Sequence, residues 1–325
     1  MQNPCDLVRW TAESVMSQAS HVAISKEESI QNIFEQAVIP GLEGGRLEDL
    51  YTIKSFDRDL HYADLTNPTL TISYLLVVDN LNFCFWPDSS LEYADLAGGI
   101  KQTILENPDA VSALSLSTID EEGVQNLLKW PRTVPAAAER ARLLRELGTV
   151  LLQEFNGQAQ ELVSRADGSV VKLVSLLTSY FPGFRDHTIY KGQQVFFYKR
   201  AQIFCGDLYG AFQGQGEGAF RDIDELTMFA DYRVPAVLRE MGVLQYSDSL
   251  SQKIDAKEEL LPGSEEEIEI RAATIVAVEK IRKAVAAKTS SGLPHAVHVD
   301  WWLWEYGEAM RTQHKPHHRT ITIYY

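Results

Sequence analysis

The sequence predicts a mainly α-helical fold, organised as a single domain over residues 1–325 with a small β element. Three observations support this prediction. Apolar residues recur mostly every three or four positions, which is the spacing of one helix face. Segments typical of strands are few and short, and they do not alternate with helices as they would in a parallel sheet. The composition, 45% hydrophobic and 23% charged over 325 residues, is that of a globular chain long enough to bury its own core.

Helices account for most of the predicted structure. The first is amphipathic and covers residues 6–20, and the second opens at a capping box over residues 25–28 and runs through residue 37. The strongest helical pattern covers residues 135–155, which are rich in Ala, Leu, Arg and Glu and have a proline in the first turn, where its missing N–H costs nothing. Further helices are predicted over 118–130, 169–180, 195–212, 236–241, 265–288 and 300–313.

Three short segments rich in aromatic and β-branched residues predict the β element, namely 82–86, the region around 188–190, and 320–324. The glycines of residues 214–218 follow a helix instead of a strand. That context argues against a dinucleotide-binding loop.

The charge balance excludes some functions. With 30 Lys and Arg against 45 Asp and Glu, the net charge of −15 argues against a broad nucleic-acid-binding surface, since a phosphate backbone is bound mainly by basic residues. Cys5, Cys84 and Cys205 are far apart and form no C-x-x-C pair, which argues against a disulfide framework and a cysteine zinc site. No signal peptide or membrane span is expected, and we predict a cytoplasmic location with no membrane partner.

The predicted helix 195–212 carries two opposite charges on an apolar face. Offsets of three, four and seven residues place Arg200, Ile203, Phe204 and Asp207 on one stripe. Charges on a packing face must be paired or must line a cavity, because desolvating a lone ion is costly. Two interpretations stay open here, a buried Arg–Asp pair that ties helices together and a functional cavity.

A second candidate site lies in the sequence Leu226–Pro235. Asp231 follows apolar residues and precedes a helix whose first turn contains a proline, so the carboxylate is expected near the positive end of that helix. Such a position suits a carboxylate that stays ionised inside an apolar pocket. A plain helix cap is the simpler alternative.

The last fifteen residues reverse the sign of the chain, because they contain three cationic residues, three histidines and no acid. This pattern suggests an anion site, and a solvated basic tail is the alternative. The histidines His314, His317 and His318 match no familiar metal-ligand spacing, and no acidic ligand lies near them in sequence. No metal is therefore predicted.

Several segments, taken in order from about residue 80 to the end, resemble the queuosine salvage protein family, the queuosine 5′-phosphate N-glycosylase/hydrolases. They are Asn82-Phe83-Cys84-Phe85-Trp86, Phe181-Pro182-Gly183-Phe184-Arg185-Asp186, Tyr198-Lys199-Arg200-Ala201-Gln202-Ile203, Met228-Phe229-Ala230-Asp231-Tyr232-Arg233-Val234-Pro235, His318-Arg319 and Tyr324-Tyr325. The sequence departs from the family at Tyr209, where a Trp is common, and at Ile321, where a basic residue is common.

The resemblance implies a mostly helical fold similar to helix-hairpin-helix DNA glycosylases. It also implies hydrolysis of queuosine 5′-monophosphate to release queuine, a 7-deazaguanine base, without a metal or an organic cofactor. Asp231 is expected under the ribose, and Asp207 at the guanine-like edge of the base or at the amine of its side chain. The residues assigned in this way are Asp231 and Asp207 for catalysis and, for binding the substrate, Phe85, Trp86, Lys199, Phe229, Tyr232, Arg319 and Tyr325. His61, which lies outside the matching segments, is added as a polar contact to the substrate, and a structural histidine is the alternative.

Within the binding group, aromatic stacking is expected from Phe85, Trp86 and Phe229, and phosphate contacts from Lys199, Arg319 and Tyr325. The expected partner is a small mononucleotide and not a nucleic acid. Two other functions stay open, a base-excision glycosylase that acts on DNA or tRNA and a non-catalytic protein that binds a 7-deazapurine nucleotide.

Overall fold

The computed structural model describes residues 2–33, 50–51, 56–311 and 313–325. The chain divides into two compact units. The first comprises Met1–Ser55, His187–Lys199 and Asp224–Ile321, and the second comprises Phe56–Asp186, Arg200–Ile223 and Thr322–Tyr325. This division does not decide whether the chain folds as one domain, so the single domain over residues 1–325 stays a prediction.

The described residues are mainly helical, as predicted. The helices, in chain order, are α1 (Pro4–Met16), α2 (Glu27–Ile33), α3 (Pro68–Asn80), α4 (Tyr93–Glu106), α5 (Ala113–Ser117), α6 (Glu121–Leu127), α7 (Ala137–Glu154), α8 (Ala159–Ala166), α9 (Val170–Tyr180), α10 (Lys199–Ala211), α11 (Arg233–Glu240), α12 (Asp248–Asp255), α13 (Glu265–Ala286) and α14 (Ala296–Ala309). The strands are β1 (Val22–Ile24), β2 (His187–Tyr190), β3 (Gln193–Phe196) and β4 (Leu244–Tyr246).

The first unit is built around the long helix α13, which packs against α1, α2, α11 and α14. Two small antiparallel sheets lie in this unit, one pairing β1 with β4 and the other pairing β2 with β3. The hairpin between β2 and β3 turns at Lys191 and Gly192, whose φ angles are +47° and +82°. Two positive φ angles give the turn the twist that adjacent antiparallel strands require.

The buried carboxylate of Glu269 on α13 ties both sheets to that helix. It accepts hydrogen bonds from the backbone N–H groups of Ser20, His21 and Val22, the closest at 2.7 Å, and from the Tyr190 hydroxyl at 2.8 Å. Four donors compensate the lost hydration of a fully buried carboxylate.

The second unit contains α3 to α9 and the part of α10 from Arg200 onward. Its helices approach closely at glycines. A Cβ added at Gly148 of α7 would lie 2.4 Å from the Ser117 N at the end of α5, and one added at Gly99 of α4 would lie 2.0 Å from the Leu128 O after α6. Only glycine permits this backbone contact.

Most predicted helices are confirmed, with boundaries that differ by a few residues. Ser169 caps α9 by accepting from the Lys172 N–H, and α7 and α13 follow their predicted ranges closely. The predicted capping box is wrong, because the Ser25 hydroxyl donates to the Gly242 O and α2 begins at Glu27. The predicted end of that helix lies outside the described residues.

Several predicted helix boundaries are wrong because contacts with distant segments of the chain override the local sequence pattern. The range 195–212 was predicted as one helix, but residues 195 and 196 pair with β2 in a hairpin, and α10 begins only at Lys199. The range 118–130 lies mostly in α6, which begins after its cap Asp120. The range 300–313 starts earlier, at Ala296, and ends at Ala309. Helix α3 was missed, since a helix buried on nearly every side shows little amphipathic periodicity.

Two of the three predicted strands are wrong. Residues 82–86 form no strand, and the carbonyls of Phe83 and Cys84 accept from the Arg140 side chain instead of from a neighbouring strand. Residues 320–324 form no strand either; next to them, Arg319 makes an isolated bridge with Glu259. The strand predicted around 188–190 is confirmed as β2.

None of the helices in the described part of the chain combines the length and the apolar character needed to cross a membrane. The cytoplasmic location stays a prediction.

Candidate functional site

In the first unit, Asp231 lies at the entrance of α11, as its sequence context predicted. Its Oδ1 accepts hydrogen bonds from the backbone N–H groups of Arg233 and Val234, each at 3.0 Å. The carboxylate therefore does cap the helix, which was the simpler of the two interpretations. In this geometry Oδ1 faces the N-terminus of α11, and Oδ2 takes no part in the cap.

The surroundings of Asp231 perturb its protonation. Burial raises the pKa of Asp231 above its usual value of 3.8, and the positive charge of Lys199, followed by the amides at the start of α11, opposes this rise. Lys199 is itself buried, at 4% exposure. A carboxylate that is desolvated, balanced by a buried cation and anchored on one oxygen is a typical candidate for acid–base or electrostatic catalysis.

The backbone that leads into Asp231 is held from two helices. The Phe229 N–H donates to Asp300 Oδ1 of α14 at 2.9 Å, and Arg271 Nε of α13 donates to the Ala230 O at 3.1 Å. Phe229 is buried, at 2% exposure. Side chains from two separate elements therefore fix the two residues immediately before the carboxylate.

Tyr232 connects α11 to the C-terminal segment. Its ring packs on that of His317 with centroids 4.5 Å apart, and His317 Nδ1 lies 2.7 Å from the His318 O. The Arg319 O accepts from the Leu260 N–H at 2.7 Å. The segment from His317 to Arg319 is packed in this way, which contradicts the alternative of a solvated tail for these residues.

The histidines of this segment add little positive charge at neutral pH. Burial lowers the pKa of His317 to about 4 and that of His318 to about 3. The cationic character of the C-terminal segment therefore comes from its Lys and Arg residues. Among the described residues, the one group of three candidate metal ligands within 4.8 Å of one another is His21, Glu265 and Glu269, and the C-terminal histidines are not part of it.

In the second unit, Asp207 of α10 belongs to a buried polar cluster with Tyr74, Tyr93 and His61. Asp207 is 3% exposed. Burial raises the pKa of Tyr93 well above its usual value, and the nearby charge of Asp207 raises it further. Burial also raises the pKa of Tyr74, and the charge of Asp207 raises it further.

His61 lies at the centre of this cluster, with both ring nitrogens facing a phenol. Nδ1 lies 3.3 Å from the Tyr74 hydroxyl and Nε2 lies 3.3 Å from the Tyr93 hydroxyl. The Tyr74 hydroxyl also lies 3.1 Å from the Ala97 O; when it donates there, Nδ1 carries the ring proton and Nε2 accepts from Tyr93. Burial lowers the pKa of His61 to about 4, so the ring is neutral at physiological pH.

This geometry gives His61 a supporting position, with both nitrogens engaged by protein groups. Tyr74 and Tyr93 are the residues that sequence reasoning missed in this cluster. They carry no local signal, since Tyr74 lies in α3, which is buried on nearly every side, and Tyr93 opens α4. Only the three-dimensional arrangement brings them to His61 and Asp207.

Arg200 contacts the end of α3. Its Nη1 donates to the main-chain O and, at 3.1 Å, to the Oδ1 of Asn80, and its Nη2 donates to the Gly183 O. Burial lowers the pKa of Arg200 to about 10, and the negative charge of Asp186 is the main opposing influence. Arg200 of the predicted charged stripe is therefore buried, and it joins the end of α3 to Gly183 by donating to carbonyl groups.

The remaining predicted residues of the second unit lie near one another along the main chain. Phe85 and Trp86 directly follow Cys84, whose N–H donates to the Tyr325 O at 3.0 Å. The structure thus places the main chain of Tyr325 beside the residue that precedes Phe85 and Trp86. In the first unit it brings together Lys199, Phe229, Asp231 and Tyr232, and Arg319 lies two residues from His317, whose ring packs on that of Tyr232. Their roles toward a substrate stay predictions.

Comparisons with known proteins agree with one another. The family model described as "Queuosine salvage protein" matches residues 60–325. A relative from Dictyostelium discoideum is 45% identical over 99% of this chain and 100% of its own length. One from Sphaerobacter thermophilus is 42% identical over 84% and 87%, and one from Bos taurus is 34% identical over 78% and 81%. All three are named "Queuosine 5′-phosphate N-glycosylase/hydrolase".

Proposed function

This chain belongs to the queuosine salvage protein family, and on that premise we propose that it hydrolyses the N-glycosidic bond of queuosine 5′-monophosphate and releases queuine. The observation that carries the proposal within the structure is the carboxylate of Asp231. It is half-buried and anchored at a helix start; burial raises its pKa, and Lys199 is close enough for its charge to oppose that rise.

The reaction needs only water as a second reactant. The water oxygen forms a bond to C1′ while the bond from C1′ to the base nitrogen breaks and leaves its electron pair on the base. The water gives up one proton and the base gains one, so the products are the free base and ribose 5-phosphate. Positive charge develops on the sugar in the transition state, as in other glycoside hydrolyses.

Asp231 suits this chemistry because a negative oxygen held in a low-dielectric site stabilises developing positive charge strongly. The same oxygen can accept a proton from the attacking water. We assign both functions to Asp231. The helix-start position of Asp231 is also the one that supports our proposal of a likeness to helix-hairpin-helix DNA glycosylases, in which a catalytic Asp stands at the start of a helix.

The leaving base sets the role proposed for Asp207. A 7-deazaguanine has carbon at position 7, so the usual protonation site of a departing purine is absent. The charge that builds up on the base must be stabilised at its other edges. We assign Asp207 to the guanine-like edge or to the amine of the queuine side chain, with His61 acting beside it through Tyr93.

The other assignments follow the sequence prediction. We propose that Phe85, Trp86 and Phe229 stack on the base, that Tyr232 contacts the substrate, and that Lys199, Arg319 and Tyr325 hold the phosphate. One or two cations with a phenol suit a monophosphate. The net charge of −15 favours a mononucleotide over a polynucleotide substrate.

The proposal is tested by incubating the purified protein with queuosine 5′-monophosphate, without added metal, and following free queuine by chromatography and mass spectrometry. We expect queuine from the wild-type protein and a loss of about a thousandfold or more in kcat for Asp231→Asn. The amide oxygen of Asn can keep both hydrogen bonds to α11, so the fold is retained. Asp120→Asn is the matched control, because Asp120 caps α6 by accepting from the Gly123 N–H at 2.8 Å and has no assigned role.

Other outcomes would support other functions. A near wild-type rate in Asp231→Asn would remove that residue from the mechanism. Nucleotide recovered unchanged in a stoichiometric complex would indicate a binding protein. Base release from DNA or tRNA, with binding that weakens steeply as salt is added, would indicate a base-excision glycosylase.

A further inference from the structure

We propose that Arg140 of α7 is a positioning residue for the nucleotide, because its guanidinium holds the backbone segment that carries Phe85, Trp86 and the contact to Tyr325. This inference rests on the proposed function. It adds a residue that none of the sequence motifs includes and that lies about sixty positions from the segment it holds.

Arg140 is fully buried, and its hydrogen bonds converge on one short stretch of chain. Nη1 donates to the Leu81 O, Nη2 donates to the Phe83 O and, at 3.3 Å, to the Cys84 O, and Nε donates to the Pro135 O at 2.8 Å. A planar fork with several donors in fixed directions can satisfy such divergent carbonyls, whereas a lysine ammonium cannot.

A second arginine binds the residue directly before this stretch. Arg200 donates to the main-chain O of Asn80, one residue before Leu81. The two guanidinium carbons lie over the ring of Phe83, Arg140 at 4.3 Å and Arg200 at 5.3 Å from its centroid. The ring of Phe83 therefore lies within reach of two cations, an arrangement that fixes both its position and its tilt.

The position of these carbonyls explains why two cations are tolerated in a buried place. Asn80 is the last residue of α3 and Leu81 follows it, so their carbonyls belong to the negative end of that helix. The arginines bind carbonyl groups that have no N–H partner within α3, and the Leu81 O also accepts from the Phe83 N–H at 2.9 Å. The two buried cations therefore lie at the C-terminal end of α3.

The chain beyond this point is held in an unusual conformation. Cys84 has a φ of +49°, in the left-handed region that non-glycine residues rarely adopt. Phe83 and Cys84 pack with Leu143 of α7 and with Ile323 near the C-terminus, and the Cys84 N–H donates to the Tyr325 O. The direction of Phe85 and Trp86 and the placement of Tyr325 both depend on this held residue.

Two groups assigned to different parts of the substrate therefore share one support. Phe85 and Trp86 are assigned to the base and Tyr325 to the phosphate. If Arg140 no longer holds the Phe83 and Cys84 carbonyls, Cys84 can relax toward an ordinary φ, and both groups move. The reacting carboxylate Asp231 has its own supports, Asp300 and Arg271, which this change does not touch.

The test compares Arg140→Lys with Arg142→Lys, two residues further along the same helix. Arg142 is exposed and pairs only at the surface with Glu139 and Glu146, so its replacement should leave KM and kcat unchanged. For Arg140→Lys we expect KM for queuosine 5′-monophosphate to rise about ten- to a hundredfold, since stacking contacts and geometry are lost together. The change in kcat should be smaller, and the pH dependence of kcat/KM should keep its shape.

KM distinguishes positioning from a merely structural role, because unfolded protein lowers the apparent kcat but leaves the KM of the remaining folded enzyme unchanged. A second measurement avoids turnover altogether. The Kd of the same nucleotide for Asp231→Asn should increase by a similar factor when Arg140→Lys is added. If Arg140→Lys does not fold, Arg200→Lys replaces it, since that residue holds the segment from α10.

An unchanged KM and Kd in a folded Arg140→Lys or Arg200→Lys variant would overturn the inference and leave the proposed function standing. A wild-type protein that binds the nucleotide but does not hydrolyse it would overturn the proposed function, and the Kd comparison would still decide on Arg140. A wild-type protein that neither binds nor hydrolyses it would overturn both.

Discussion

Two adjacent glycines on α4 should respond to the same substitution with opposite signs. At Gly99 an added Cβ would lie 2.0 Å from the Leu128 O and 2.7 Å from the Leu128 C, both backbone atoms that cannot rotate away. At Gly98 the nearest atom is Leu60 Cδ1 at 4.0 Å, an ordinary van der Waals contact. Comparing the two variants separates the cost of a collision with backbone from the intrinsic preference of a helix for alanine over glycine.

The magnitudes follow from these distances. Overpacking of a core costs about 1–3 kcal/mol, and a collision with backbone belongs at the upper end of that range or beyond it. Replacing Gly by Ala inside a helix stabilises it by about 1 kcal/mol. We therefore expect Gly99→Ala to lower the free energy of unfolding by about 2 kcal/mol, and Gly98→Ala to raise it by about 0.5–1 kcal/mol.

The assay is urea unfolding followed by far-ultraviolet circular dichroism, with the two variants and the wild type measured side by side. Comparing midpoints at equal slopes keeps the result independent of extrapolation. The reasoning would be refuted if the two variants shifted in the same direction or differed by less than about 1 kcal/mol, since α4 would then not touch the chain after α6 as described.

Two further predictions concern pH. The acid limb of kcat/KM should have its midpoint above 3.8, because Asp231 must be ionised and burial raises its pKa. Lys199→Met should move this midpoint higher still, because the positive charge of Lys199 lowers the pKa of Asp231. A midpoint that does not move would show that Lys199 has no effect on the pKa of Asp231. The free energy of unfolding should fall as pH drops from 6.5 toward 4, because His298 and His61, with pKa values of about 4, are neutral when folded but protonated when unfolded. Replacing His298 by Asn should reduce that slope by up to about 1.4 kcal/mol per pH unit, and equal slopes for variant and wild type would contradict this.

The sequence by itself determined the mainly helical class, because helical periodicity and caps such as Ser169 are local properties. It also determined family membership, since the ordered motifs lie within the range that the family model matches. The position of Asp231 at a helix start was predictable for the same reason, as an Asp before a helical pattern is a local signal.

Only the tertiary structure decided how the candidate residues are supported. His61 meets Tyr93 across 32 positions, and Arg140 meets Phe83 across 57. The residues 82–86 are predicted as a strand because they are aromatic, yet the carbonyls of Phe83 and Cys84 are bound by Arg140 of α7. Arg200 of α10 binds the carbonyl of Asn80, just before this segment. Local patterns report the preference of each segment for helix or strand, whereas buried polar groups must find partners wherever the folded chain places them.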